Sequence, residues 1–138
     1  MVVHILKLCV GVNEIAELAD WQVMRKRDFD RIWHITRMNP KRGDEIVAGG
    51  SLYWVIKGMI AVRQRITEIE TFTDDEGISR CKFILDEQLV PVKPQPRRPF
   101  QGWRYLSAED APADLPKGSA AQDMPEQMRN ELAELGLL

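Results

Sequence analysis

The feature that most constrains this chain is a stretch from residue 51 to residue 85 in which three β-rich segments follow one another across short connections. Residues 51–57 are an aromatic and β-branched run, the clearest strand in the sequence. Lys57-Gly58 turns it back into residues 59–70, where Ile60, Val62 and Ile66 alternate with Ala61, Arg63, Arg65 and Thr67. Met59, Val62, Ile66 and Ile69 also fit a helical spacing, so periodicity does not choose; the β-branched Ile66-Thr67-Glu68-Ile69 favours a strand. Thr73-Asp74-Asp75-Glu76-Gly77 reads as a hairpin loop into a further strand over residues 79–85.

The flanking segments fill in an α+β chain. Residues 2–8 read as a first strand ended by Gly11; Asn13 then caps a helix whose Ile15, Leu18, Ala19 and Val23 share one face. Glu14 and Glu17 at its start and Arg25, Lys26 and Arg27 at its end match the helix dipole. Residues 32–38 are β-rich and stop at Asn39-Pro40, and residues 41–48 suit one or two helical turns, with Gly49 in the left-handed position and Gly50 releasing the chain. Four prolines between residues 91 and 99 demand an extended segment that cannot be an interior strand. Residues 100–106 close the sheet with a short strand. Residues 108–122 have the small, acidic, Pro/Gly-punctuated composition of a linker. A short helix follows, with Pro125 in its first turn, Met128, Leu132 and Leu135 on one side and Gly136 as its stop. The expected architecture is a small mixed, mostly antiparallel β-barrel or strongly curved sheet with one or two packed helices. It divides into a globular part (1–106), an acidic linker (107–122) and a C-terminal helix (123–138).

At 138 residues, with 44% hydrophobic and 29% charged side chains, the chain suits one ordinary domain and not a disordered one. Cys9 and Cys81 form no C-x-x-C pair, so neither a disulfide framework nor a local zinc clamp is indicated. The N-terminus lacks a basic leader, and no apolar run approaches the roughly 20 residues of a spanning helix. A soluble, cytoplasmic protein without a membrane partner is expected. The net charge of −2 conceals a split: residues 1–106 carry 17 Lys+Arg against 14 Asp+Glu, and residues 107–138 carry 2 against 7. A basic body invites an anionic partner.

Two clusters could hold one. Residues 89–106 interleave Lys93, Arg97, Arg98 and Arg104 with Phe100, Trp103 and Tyr105 and contain no acid. Guanidinium groups pair with phosphates while rings stack on unpaired bases, the mixture that suits single-stranded or looped nucleic acid. The alternative is that the rings pin a proline-rich segment to the core and the arginines stay solvated. Residues 51–67 are also acid-free and place Arg63 and Arg65 on one side of a strand, next to Tyr53, Trp54 and Lys57. There the alternative is that a ring is core and the arginines pair with Glu68, Glu70 or Asp86 across the sheet.

His34, with Asp28, Asp30 and Asp44 nearby in sequence, has the makings of a general base. No nucleophile accompanies it: Ser51 lacks the G-x-S-x-G elbow and neither cysteine has a catalytic context, so a half-buried hydrogen-bonded histidine is the simpler reading. A zinc site from His4, His34, Cys9 and Cys81 would have to assemble without any local pair. Gly49-Gly50-Ser51 lacks the Lys-Ser/Thr ending of a phosphate loop. No catalytic residue, metal or cofactor is assigned.

Several literal segments carry a resemblance: Leu6-Lys7-Leu8-Cys9-Val10-Gly11-Val12, residues 49–58, Arg63-Gln64-Arg65-Ile66 and residues 94–106. Over residues 3–115 the chain resembles a bacterial family of small proteins known as domain of unknown function 1489, which implies no activity. The stretch between the first helix and Ile32 is shorter than in that family, a difference confined to a loop. At the level of pattern, a glycine-introduced strand, an Arg-rich return strand and an aromatic close are similar to the PUA-like superfamily of small β-barrels, many of which bind RNA or modified bases. By analogy that implies a non-enzymatic module for RNA or modified nucleic acid. In it Trp54, Trp103 and Tyr105 stack, Lys57, Arg63, Arg65, Arg97, Arg98 and Arg104 hold phosphates, and the acidic tail competes for the same surface. A small enzyme or metabolite-binding protein with a pocket near His34 and Trp54 is the rival reading. A third is self-association or partner docking through Leu132, Leu135, Leu137 and Leu138.

Overall fold

The computed structural model describes residues 2–116 and 124–137. In chain order the elements are β1 (Val3–Leu8), α1 (Ile15–Phe29), β2 (Ile32–Thr36), α2 (Gly43–Val47), β3 (Ser51–Ile56), β4 (Met59–Thr73), β5 (Ser79–Leu85), β6 (Val90–Pro96), β7 (Trp103–Ser107) and α3 (Glu126–Glu134). The strands form one seven-stranded sheet in the order β2-β5-β4-β3-β1-β7, with β6 also paired to β4. Only β1 and β3 run parallel.

The organiser is β4. Lys57 and Gly58 both have positive φ, 51° and 77°, the conformation that joins β3 to β4 in a two-residue hairpin. The first half of β4 pairs with β3 and β6, and the second half with β5; register shifts at Ile60/Val62 within the first half and at Ile66/Glu68 at the changeover re-aim the 15-residue strand. Residues 59–70 are thus a strand, continued to Thr73. β6 pairs with β4 along one edge, as its prolines require, and its outer edge is covered by residues 113–115: Lys93 donates to the Ala113 carbonyl and Leu115 to that of Pro91.

The expected barrel does not close. No ladder joins β2 to β7 among the described residues, although the sheet curls enough for Trp103 of β7 to meet Phe83 of β5 edge-on at 6.4 Å and to donate to the Met38 carbonyl just past β2. Trp103 thus ties β7 to β5 and to the chain just past β2 without closing the sheet.

Every residue of β3 is buried because both faces of the sheet are covered. Leu52, Trp54 and Ile56 join the core under α1 with Ile5, Ile66 and Phe83. Tyr53 and Val55 join a second core with Leu6, Ile60, Val92 and Leu106, against which Phe100 and Ala111 pack. The segment expected to be an acidic linker is therefore docked as far as Leu115, which is buried; the Val92–Asp114 bridge and the Leu115 side chain hold it. Residues 117–123 of that linker lie outside the described residues.

Three local expectations are corrected. α1 buries Leu18 and Gln22, not Val23, which is 68% exposed, because the helix meets the sheet along a seam set by a Gln22–Gln64 contact. Its N-cap is Glu14 and not Asn13; the first backbone N–H, of Ile15, donates instead to the Glu126 carboxylate of α3 at 2.8 Å. Gly49 stays out of the left-handed region. Gly50 is the position that needs glycine, since a Cβ there would lie 2.2 Å from the Val3 carbonyl oxygen and 2.7 Å from that of Ile46. No described helix is long and apolar enough to cross a membrane.

Candidate ligand-binding site

Strand parity builds the site. Val3, Ile5 and Lys7 lie on the β1 face toward α1; the first two enter the core, and the third emerges at the strand end, lining a cavity. That cavity, about 460 Å³, lies between the end of β1, the loop after it and α1, with Cys9, Val12, Leu18, Trp21, His34 and Trp54 in its walls. The size suits a small ligand.

Trp54 is 3% exposed and forms part of the wall from below. A saturated amide network fixes its ring. Trp54 Nε1 donates to Gln64 Oε1 at 3.2 Å; Gln64 and Gln22 exchange two further hydrogen bonds of 2.7 and 2.9 Å; and Gln64 Nε2 also donates to the Asp86 carbonyl at 2.7 Å. Gln64 thus uses both donors and both acceptor positions although it is wholly buried. The wall behind the cavity is rigid for that reason.

The groups facing the cavity are different. The His34 ring meets Trp54 edge-on at 5.1 Å, and its buried Nε2 has no hydrogen-bond partner. Burial, with the positive charges of Lys7 and Arg25, brings the His34 pKa down to about 4, so the imidazole is neutral near pH 7. Lys7 makes no ion pair among the described residues, and burial lowers its pKa. Burial pushes the Cys9 thiol up to about 11 against the pull of Lys7, which leaves it protonated and a poor nucleophile at neutral pH. Outside the lining, the Arg25 guanidinium lies 4.1 Å from the centre of the Trp21 ring and 5.0 Å from that of Trp33, and donates to the Trp33 carbonyl at 3.1 Å. Glu17 stands on the rim.

The residues expected to contact nucleic acid are dispersed. Trp54 and Trp103 are each 3% exposed, in the core under α1, so neither offers a stacking face. Tyr105 is partly exposed, but its hydroxyl accepts from the Arg42 backbone N–H and its ring lies under the Arg42 guanidinium. Arg63 makes a two-pronged pair with Asp114, at 2.6 and 2.7 Å, and also donates to Ser51 Oγ. Arg65 donates to the carbonyls of Val47, Gly50 and Ile66 and secures the end of α2. Neither pairs with Glu68, Glu70 or Asp86. Lys57 faces a depression it shares with Glu126, Glu131 and Glu134 of α3. Arg97, Arg98 and Arg104 do come together, with Phe100, in an open cleft. Pairing of Met59 with Pro96 and of Arg63 with Val90 sets that cleft several residues along β4 from Arg63, roughly 15–20 Å at the rise of a strand. On the C-terminal helix, Leu135 and Leu137 are exposed, and Leu138 lies outside the described residues.

Lys7, Trp21, Arg25, Gln22 and Gln64 were not among the expected site residues. The signal for Lys7 was present, since period-two alternation puts it on the same face as Val3 and Ile5. Cys9 and His34 share the cavity, but among the described residues no group of three or more His, Cys, Asp and Glu is arranged to hold a metal ion. No curated protein and no solved structure matches the chain. Residues 5–138 match the family described as "Protein of unknown function (DUF1489)", and the chain belongs to that family.

Proposed function

We propose that the protein binds a small molecule in the cavity between α1 and the β1 end of the sheet. One observation carries the reading: the cavity has largely apolar walls backed by a saturated network, yet Lys7 and His34 Nε2, polar groups of two lining residues, lack protein partners among the described residues. The protonated Cys9 thiol favours binding over nucleophilic chemistry. Nuclear magnetic resonance titration of a planar fragment set, watching the Trp21 and Trp54 indole N–H signals, tests this. Fragments are expected to shift both signals in the wild type and neither in Val12→Trp, which fills the cavity. If no fragment moves Trp54, the reading is wrong.

The nucleic-acid reading, with its analogy to PUA-like RNA-binding modules in the cytoplasm, is supported by a different observation. The cleft of Arg97, Arg98, Phe100 and Arg104 has no carboxylate in its lining. A phosphate-contacting surface must weaken steeply with salt. Single-stranded RNA binding that falls by about tenfold between 50 and 200 mM salt, and is lost in Arg98→Gln/Arg104→Gln, is expected from this reading; salt-independent or absent binding rejects it.

A further inference from the structure

We infer that the cavity selects a ligand made of a planar ring carrying one carboxylate-sized anion, with the anion placed against Lys7; this rests on the cavity reading above. The ring follows from the walls. Trp54 closes the floor, Trp21 stands half-exposed at the mouth, and Leu18 and Val12 fill the sides, so the space favours a flat apolar body over a polar chain.

The charge follows from what surrounds that space. Lys7 reaches the cavity from the end of β1, and Arg25, outside the lining, stacks on its Trp21 wall and on Trp33. Neither cation has a carboxylate partner among the described residues. Both lower the pKa of His34, and no acidic group counters them there. The nearest acid in the lining, Glu17, acts on Cys9 instead. Lys7 and Glu17 are the charged groups of the lining, and the added field of Arg25 leaves the His34 side of the cavity positive, a charge that one carboxylate neutralises. Such an anion replaces the missing partner of a partly desolvated ammonium, the situation in which an added countercharge is most favourable.

The test uses the full chain with two probes that share a naphthalene ring, 2-naphthoate and the neutral 2-naphthalenemethanol, read by the Trp54 indole signal. Naphthoate is expected to bind about tenfold more tightly in the wild type. In Lys7→Gln that preference should shrink to about twofold, and Lys7→Arg should restore it. Bound naphthoate, unlike the alcohol, should raise the pKa of His34, because it cancels the field of Lys7 and Arg25. Equal affinities for the two probes, or a preference untouched by Lys7→Gln, overturn the charge assignment while the cavity reading stands. Silence of Trp54 toward both probes overturns the cavity reading, and this inference with it.

Discussion

The two faces of the sheet treat polar groups in opposite ways. On the face covered by residues 108–115, Arg63 is bonded to Asp114 and Ser51, and His4 Nδ1 accepts from the Ser51 backbone N–H at 3.0 Å. On the face covered by α1, Lys7 and His34 Nε2 have no partner among the described residues beside a cavity, although Gln64, which holds the Trp54 indole N–H, is saturated. Both faces are well packed, so the missing partners are not a symptom of loose structure. The Arg63 and His4 bonds hold a segment in place, while Lys7 and His34 belong to the residues that line the cavity.

Removing the support behind the cavity is the severest way to break this contrast. Gln64→Leu leaves the Trp54 indole N–H and the Gln22 amide without partners in a buried site and removes the donor from the partly buried Asp86 carbonyl. At about 1–3 kcal/mol for each buried orphan, less what relaxation recovers, a loss of about 4 kcal/mol is expected in urea unfolding. A loss below about 1 kcal/mol would show that the network is decorative and the cavity wall not fixed by it.

The same residues show what could be read from the sequence. The Lys57-Gly58 hairpin was legible because a two-residue turn demands positive φ at both positions, which glycine supplies freely and which lysine, at 51°, adopts under the pull of the strands it joins. The β3–β4–β5 meander followed from it. The direction of the rings was not legible: β3 is buried on both faces, so Tyr53 and Trp54 carry no alternation to say which lies inside, and both do. Nor could composition reveal that Asp114, inside a stretch that reads as a linker, meets Arg63 across 51 residues, or that Glu126 meets the start of α1 across 111. Long-range polar partners leave no local periodicity.

Acidity sharpens the contrast next. His34 titrates near 4 in the folded chain and near 6.5 when unfolded. Between those values the unfolded state binds the extra proton, so stability is expected to fall as pH drops from about 6.5 to about 4, by up to about 3 kcal/mol at 1.36 kcal/mol per unit. His34→Phe keeps the ring contact with Trp54 and should flatten that window in urea unfolding series. A slope identical to the wild type's would mean that His34 is already charged, or hydrogen-bonded, in the folded protein.

The smallest effect belongs to the opposite face, where the pair is already made. Asp114 is held below the usual carboxylate range, first by its hydrogen bond to Arg63, so its contribution is fully present above its unfolded pKa and is lost as pH falls through the lower folded value. That window lies below the one assigned to His34, so the two faces should separate in a pH titration. Both side chains are partly solvated, at 26% and 43% exposure, which limits the pair to about 1 kcal/mol. Asp114→Asn at pH 7 is therefore expected to raise amide exchange about fivefold at Lys93 and Leu115, whose N–H groups bind the docked segment to β6, and to leave the Trp54 indole unchanged. If Asp114→Asn instead shifts Trp54 and leaves Leu115 protected, the two faces are coupled through β3, and the division into a paired scaffold and an unpaired site fails.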